Sequence, residues 1–279
     1  MIDPSTHIGA VHLTISDVGR SVRFYEAHLG FILHRLEDGV AALGAGGPDL
    51  LVLRAGRTAP RVRGTTGLYH FAVLVPSRAD LARSLRRLIE TDTVLQGAAD
   101  HGVSEALYLN DPDGNGIEIY RDRPRADWPM ANGKLRMGAD PVDFDNLLDE
   151  HDGSGAGLAA ATTIGHVHLH VSDLAAAERF YVGVLGFEMM QRYGPSALFV
   201  SAGGYHHHIG LNTWAGVGAP PPPAGAIGLR HFVVTLPDPA ALADVVGRVH
   251  AANIPVDSAD GGALIKDPAG NAILLIANR

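Results

Sequence analysis

Cysteine is absent from all 279 positions of the sequence. The chain therefore has no disulfide, no thiolate nucleophile and no thiolate metal ligand. Any metal-binding or catalytic site must be built from histidine, aspartate, glutamate and tyrosine side chains. Histidine is plentiful by contrast, with 15 residues, several of them clustered.

Long apolar runs are lacking as well. None approaches the roughly 20 residues of a membrane-spanning helix, and the first residues, MIDPSTHIGAVHL, do not form a signal-peptide pattern. We therefore expect a soluble, cytoplasmic protein with no membrane partner. The net charge of −8 argues against a nucleic-acid partner. The length fits one large or two average domains, and 46% hydrophobic residues suffice for buried cores.

The most informative stretch of the sequence is residues 101–120, HGVSEALYLNDPDGNGIEIY. Its middle, residues 111–116, combines proline, glycine and asparagine as tight turns do, and apolar residues alternate on either side. This pattern predicts a hairpin. In its second strand, Glu118 points away from the face that carries Ile117 and Ile119. Glu118 is then either a solvated surface residue or a group that lines a cavity.

The chain before this hairpin contains two similar units. Residues 8–16 alternate like a strand, and Asp17 can cap a helix that Gly30 ends, before several short strand-like runs. The pattern restarts with a strand over residues 67–76 and a helix over residues 80–90. The hairpin then completes the second unit.

The whole arrangement repeats later in the chain. IGAVHLTISDVGRSVRFYEAHLGF returns as IGHVHLHVSDLAAAERFYVGVLGF, and DPDGNGIEIY returns as DPAGNAILLI at the same offset. GLYHFAVLVP returns as GLRHFVVTLP at a slightly longer offset, which aligns His70 with His231. The repeat predicts two homologous domains, each built from two βαβββ modules in an α+β fold.

The predicted boundaries follow from these repeats. The first domain covers residues 1–122, and the second covers residues 164–279. The modules are 1a (7–66), 1b (67–122), 2a (164–227) and 2b (228–279). Residues 123–163 are rich in proline, glycine and charge, which predicts a linker with one short helix in PVDFDNLLDE.

These motifs resemble the vicinal oxygen chelate superfamily, which includes glyoxalase I, bleomycin-resistance proteins and extradiol dioxygenases. The likeness is carried by IGHVHLHVSD, GLYHFAVLVP and DPDGNGIEIY and covers nearly all of both domains. Through GGYHHHIGLNTW, the chain is most similar to the two-domain catechol 2,3-dioxygenase group. The resemblance implies that paired modules form cup-shaped sheets, with helices outside, and that three protein ligands inside a cup bind a metal ion.

The family's ligand positions fall on His70, on Glu118 and on a residue of the first strand. That first-strand position is Ala10 in the first domain and His166 in the second. The second domain has Leu274 where the first has Glu118, so neither domain alone has a full set of ligands. We therefore expect module 2a to pair with module 1b, which would assemble a site from His70, Glu118 and His166. Two histidines and one carboxylate are typical of non-haem Fe(II) oxygenases.

Two further histidines complicate this assignment. If the modules instead pair within the first domain, His12 could join His70 and Glu118 in a shifted site. His231 sits at a ligand position beside Leu274, and we interpret it as structural.

The resemblance also implies residues that act beyond the metal. Tyr205–Gly210 matches a strand whose second histidine is the acid–base residue, and this places the role on His207. Strand alternation would put His206 and His208 on the opposite face, and a slip of one residue would exchange the roles. Tyr108 matches a tyrosine that hydrogen-bonds the substrate oxygen. His101 lies near a further second-sphere histidine, although at a different spacing.

The implied activity is extradiol cleavage of a catechol-type aromatic diol by dioxygen, with Fe(II), or alternatively Mn(II), as the cofactor. A glyoxalase-like isomerase and a metal-free, drug-binding protein of the same fold are the rival functions. The identity of the diol and the oligomeric state are left open by the sequence, and a homo-oligomer is compatible with it.

Overall fold

The computed structural model describes residues 1–56, 61–151, 155 and 157–278. Residues 57–60 of the predicted module 1a, residues 152–154 and 156 of the predicted linker, and residue 279 at the end of module 2b lie outside the described residues. Of the helices that the structure describes, none has the length and apolar character needed to cross a membrane.

Within its described residues, the first repeat contains eight strands and two helices. The strands are β1 (His7–Ile15), β2 (Ile32–Glu37), β3 (Val40–Gly44), β4 (Asp49–Ala55), β5 (Gly67–Leu74), β6 (Leu95–Asp100), β7 (Ser104–Asn110) and β8 (Gly116–Asp122). The helices are α1 (Val18–Phe24), which continues as a π-helical turn over Tyr25–Leu29, and α2 (Arg78–Glu90).

The connecting segment holds more structure than one helix. It contains a 3-10 turn (Arg125–Asp127), a hairpin of β9 (Met130–Ala131) and β10 (Lys134–Leu135), and the expected short helix, α3 (Phe144–Leu148). The hairpin was not predicted, because two-residue strands leave no periodic signal in a sequence.

The second repeat follows the first element by element. Its strands are β11 (Thr163–His170), β12 (Glu188–Tyr193), β13 (Ala197–Ser201), β14 (Ile209–Asn212), β15 (Gly228–Leu236), β16 (Asp257–Ala259), β17 (Gly262–Lys266) and β18 (Ala272–Ala277). Its helices are α4 (Leu174–Glu178), extended by a π-helical turn over Arg179–Val184, and α5 (Pro239–Ala251). The four βαβββ modules of an α+β fold are therefore confirmed.

Local sequence explains where the helices begin and end. The side chains of Asp17, Ser77, Asp173 and Asp238 each accept a hydrogen bond from a backbone N–H in the first turn of the helix that follows. Gly30 ends the first helical segment with a φ of 80°, a left-handed conformation that glycine adopts without strain.

Within each repeat, a hydrogen bond to a buried turn connects the two modules. The Tyr25 hydroxyl donates to Oδ2 of Asp111 at 3.0 Å, and the Tyr181 hydroxyl donates to Asp267 at the same distance. Each aspartate also accepts hydrogen bonds from a nearby asparagine side chain, Asn115 or Asn271. The DPxGN motif is therefore a structural turn in both repeats.

The sheets, however, combine modules from different repeats. One sheet has the strand order β16-β17-β18-β15-β1-β4-β3-β2, and the other has the order β12-β13-β14-β11-β5-β8-β7-β6. The first sheet thus joins modules 2b and 1a, and the second joins modules 2a and 1b. The pairing expected from the complementary ligand positions is the one found.

The central contact of the second sheet is the antiparallel pair β5–β11. A bulge interrupts it at Gly165, where a Cβ atom would lie 1.8 Å from the Tyr120 hydroxyl oxygen. Because only glycine leaves this space, Tyr120 can lie across the strand junction. The bulge precedes His166 directly and so helps to set the direction of its side chain.

Candidate active site

Three neighbouring strands at the middle of the second sheet bring the predicted ligands together. β5 carries His70, β8 carries Glu118 and β11 carries His166. Across the sheet, Ala72 is the register partner of both Glu118 and His166. Its methyl group leaves the space between their side chains open. His70 lies on the same face as Ala72, two residues before it.

The three side chains converge on one point. Nε2 of His70 and Nε2 of His166 each lie 3.0 Å from Oε2 of Glu118. One ligand atom from each of the three residues lies within 4.8 Å of the others. Ligands bound at about 2.0–2.2 Å and at right angles to one another would be roughly 3 Å apart, as these pairs are. The spacing fits a single metal ion whose three protein ligands all lie on one side of it.

The hydrogen bonding of the cluster also fits a metal ion. His166 has hydrogen-bonding geometry toward Glu118, but the buried Nε2 of His70 has no hydrogen-bond partner among the described residues. A buried polar atom without a partner costs free energy. A metal ion would accept the lone pair of His70 and remove that cost.

The protonation states suit metal binding as well. Burial lowers the pKa of His166 to about 4, despite the opposing effect of Glu118, so this imidazole is neutral near pH 7. Burial alone would raise the pKa of Glu118, but its contacts with His166 and His70 outweigh burial and lower that pKa well below its usual range. The cluster thus offers an ionised carboxylate and a neutral imidazole, the forms that bind metal ions.

A cavity of about 490 Å³ opens in front of this cluster. Its aromatic walls come from Tyr69, Phe199 and Trp214. The lining also includes Met137–Ala139, a part of the connecting segment. The connecting segment therefore forms part of the cavity wall. The volume is in the range of small-molecule sites.

Tyr108 and His101 lie together in this cavity. Nδ1 of His101 is 2.6 Å from the carbonyl oxygen of Gly138, and its Nε2 is 2.7 Å from the Tyr108 hydroxyl. A carbonyl only accepts, so Nδ1 carries the proton and Nε2 accepts from Tyr108. Burial and the nearby charge of Glu118 raise the pKa of Tyr108 well above its usual range. Tyr108 is thus a neutral phenol that presents an acceptor oxygen to the cavity.

The expected alternation of His206–His208 is wrong. The three residues precede β14 and belong to no strand, and all three side chains are buried. Nδ1 of His206 lies 2.8 Å from Nδ1 of His207, so these two atoms are within hydrogen-bond distance. Of the three histidines, His207 lines the cavity, and its ring centroid lies 4.1 Å from that of His166.

His208 points away from this contact. Its Nδ1 accepts from the backbone N–H of Ala202 at 3.1 Å and lies 3.2 Å from Oγ of Ser201. Burial lowers its pKa to about 3. These contacts give His208 a structural part.

Two polar groups near the site were not among the predicted site residues. His168 lines the cavity, and its Nε2 accepts from the side-chain amide of Asn212 at 2.9 Å. Asp122 receives a hydrogen bond from Nε2 of His206 at 2.9 Å. Asp122 could have been found by extending the alternation that begins at Glu118, because Glu118, Tyr120 and Asp122 share one face of β8.

The alternative ligand His12 lies in the other sheet. It stacks on His231, with ring centroids 4.0 Å apart, and both residues are partly buried. The structure therefore does not bring His12 to His70 and Glu118. The one group of three or more potential ligands within the described ranges is His70, Glu118 and His166.

Comparison with known proteins agrees with this architecture. The family model described as Glyoxalase/Bleomycin resistance protein/Dioxygenase superfamily matches residues 7–119 and 163–275. The chain is 47% identical over 279 residues to catechol-2,3-dioxygenase of Bacillus subtilis (strain 168), covering 98% of each protein.

Solved structures share the fold at low sequence identity. Glyoxalase I from Zea mays superimposes with a TM-score of 0.58 and 15% identity, over 97% of this chain and 92% of that one. The cppA protein from Streptococcus pneumoniae TIGR4 does so with a TM-score of 0.55 and 15% identity, over 98% and 99%. Repeat pattern, module pairing and family match agree, and the chain belongs to the glyoxalase/bleomycin resistance protein/dioxygenase superfamily.

Proposed function

We propose that this protein is an extradiol ring-cleaving dioxygenase that acts on a catechol-type aromatic diol at a single Fe(II) site. The observation that carries the proposal is the cluster of His70, Glu118 and His166 at one side of an open cavity. Two neutral imidazoles and one carboxylate with open positions are the ligand set of non-haem Fe(II) oxygenases. The 47% identical relative named catechol-2,3-dioxygenase points to the same chemistry.

In this proposal the three residues hold Fe(II), with Mn(II) as the alternative ion. When bound, the ion supplies a Lewis-acidic centre at which the diol and dioxygen come together. Glu118 contributes the one negative charge among the protein ligands. The aromatic side chains of Tyr69, Phe199 and Trp214 provide flat apolar surfaces for an aromatic ring.

His207 and Tyr108 handle the protons of the diol. His207 lies against His166, and a neutral imidazole there can accept a hydroxyl proton as the diol binds. The Tyr108 hydroxyl donates a hydrogen bond to His101, so its oxygen is free to accept a hydrogen bond from the substrate. The two side chains would thus distinguish a hydroxyl that loses its proton from one that keeps it.

The test begins with the purified full chain, loaded with Fe(II) without oxygen and then desalted. We expect one tightly bound iron per chain. On adding a catechol and oxygen, we expect uptake of one dioxygen per diol and a ring-opened product that contains both oxygen atoms, measured by mass spectrometry with labelled oxygen. Parallel loading with Mn(II) tests the choice of ion.

Two results would contradict the proposal. If the fully iron-loaded protein consumes no oxygen with a panel of catechols, it is a metal-dependent enzyme of another reaction class. If the protein retains no metal, it is a binding protein. The Glu118→Gln variant serves as the matched inactive control, because it preserves the size of the side chain and removes its charge.

A further inference from the structure

Beyond the cavity, a chain of hydrogen bonds leads from His207 to Asp122. Nδ1 of His207 lies 2.8 Å from Nδ1 of His206, and Nε2 of His206 lies 2.9 Å from Oδ1 of Asp122. His206 has no exposed surface, while the side chain of Asp122 keeps 27% of its surface accessible. His206 thus connects the cavity histidine to a carboxylate at the rim of the sheet.

The proton positions in this chain follow from the donors and acceptors. An ionised carboxylate can only accept, so Nε2 of His206 carries the proton that it shares with Asp122. The Tyr205 hydroxyl also donates to Asp122, at 2.9 Å. Nδ1 of a neutral His206 is then an acceptor, and Nδ1 of His207 must be the donor. The remaining nitrogen of His207, Nε2, is left with its lone pair.

The rings around His206 hold this arrangement in place. The ring of Tyr205 lies 4.1 Å from that of His206, and the ring of Trp128 lies 5.5 Å from it. Trp128 is itself held by a hydrogen bond from Nε1 to the carbonyl oxygen of Arg123. The imidazole of His206 is therefore enclosed by aromatic rings, and solvent cannot compete for its two nitrogens.

We propose that Asp122 and His206 are positioning residues of the reaction, because they hold His207 in the tautomer whose Nε2 lone pair faces the substrate. This inference rests on the proposed function, since it presumes that His207 accepts a proton from the diol. Neither residue touches the cluster of metal ligands by a hydrogen bond within the described part of the chain. Their role is to decide which nitrogen of His207 is free.

The first test reads the tautomers directly and needs no activity. Histidine labelled with ¹⁵N is incorporated into the full chain, which is loaded with diamagnetic Zn²⁺ and studied by NMR. We expect the Nδ1–H tautomer for His207 and the Nε2–H tautomer for His206. In Asp122→Leu we expect His207 to shift to the Nε2–H form, because His206 loses its acceptor. An Nε2–H His207 in the unmodified protein, or an unchanged tautomer in the variant, overturns the inference.

The second test is kinetic. Asp122→Leu should lower kcat about 100-fold, the scale of a lost general base, with one iron still bound per chain. Asp122→Asn keeps an acceptor oxygen and should retain much of the activity. Tyr181→Phe removes a buried hydroxyl outside the cavity and serves as the matched control, for which we expect little change in kcat.

A double substitution separates positioning from folding. His206→Asn keeps an acceptor near the position of Nδ1 but does not depend on Asp122, so adding Asp122→Leu should cause no further loss. If Asp122→Leu lowers kcat equally in the unmodified protein and in His206→Asn, Asp122 acts through Tyr205 or through stability, and the proposal is rejected. If the iron-loaded protein cleaves no catechol, the proposed function fails, while the NMR result still decides whether the hydrogen-bond chain exists.

Discussion

Nε2 of His166 lies 3.0 Å from Oε2 of Glu118, although 48 residues separate them and they belong to different repeats. The contact exists because module 2a forms one sheet with module 1b. Each repeat alone lacks one type of ligand, since Ala10 and Leu274 occupy the corresponding positions. The consequence is one sheet that gathers three potential metal ligands and a second sheet, here called the degenerate cup, in which Ala10 and Leu274 stand at two of the ligand positions.

Removing His166 should therefore remove the metal. We expect His166→Ala to weaken Fe(II) binding by roughly 100-fold or more, because even residues that only support a ligand cost 10- to 100-fold. The measurement is the iron content per chain after anaerobic loading and desalting. His231→Ala is the matched control, because His231 lies in the degenerate cup, and it should keep its iron. Retention of iron by His166→Ala would exclude His166 as a ligand.

Tyr108 should matter for turnover and not for metal binding. Tyr108→Phe removes the hydroxyl that bonds to His101, and we expect kcat to fall about 10- to 100-fold with one iron still bound. Tyr181→Phe removes a buried hydroxyl outside the cavity and should change stability but not kcat. Equal kcat values for Tyr108→Phe and the unmodified enzyme would restrict Tyr108 to packing.

Met137 should influence which diols fit. Its backbone N–H donates to Oε1 of Gln191 at 2.6 Å, and its carbonyl oxygen accepts from Nε2 of Gln191 at 3.2 Å, so the backbone is held at both ends while the residue lines the cavity. We expect Met137→Trp to lower kcat/KM for substituted catechols about tenfold more than for catechol itself. Met130 lies on the exposed hairpin of the same segment, so Met130→Trp should leave the ratio of the two kcat/KM values unchanged.

His208 should make the protein sensitive to acid. Its pKa is lowered to about 3 in the folded state, against an ordinary value of 6.5. Below about pH 6.5 the unfolded chain therefore binds a proton that the folded chain excludes, so the free energy of unfolding falls as the pH falls toward 3. Between about pH 7 and pH 5 this residue should cost up to roughly 2 kcal/mol.

Urea unfolding at the two pH values, with a chelator present, measures this effect. His208→Asn keeps an acceptor for the Ala202 N–H but cannot titrate, so its stability should fall less on acidification. His250→Asn replaces an exposed imidazole and should behave like the unmodified protein. If the free energy of unfolding depends on pH identically in all three proteins, the pKa of His208 is not lowered in the folded state.

Much of this architecture is encoded locally. Alternating apolar residues, the capping residues Asp17 and Asp173, and the DPxGN turns specify four βαβββ modules, because strand period, helix caps and turn geometry depend on near neighbours. The absence of ligand side chains at Ala10 and Leu274 also pointed to module pairing across the repeats.

Other features were decided only when the modules packed. The contact between His206 and His207 depends on an irregular segment before β14, where the alternation of a strand does not apply. The part of Met137 in the cavity wall depends on how a non-periodic connecting segment crosses the sheet. Local pattern therefore determined the modules and the ligand types of this protein. Long-range packing determined the walls of its cavity and the contact between His206 and Asp122, since those contacts join residues that no sequence period relates.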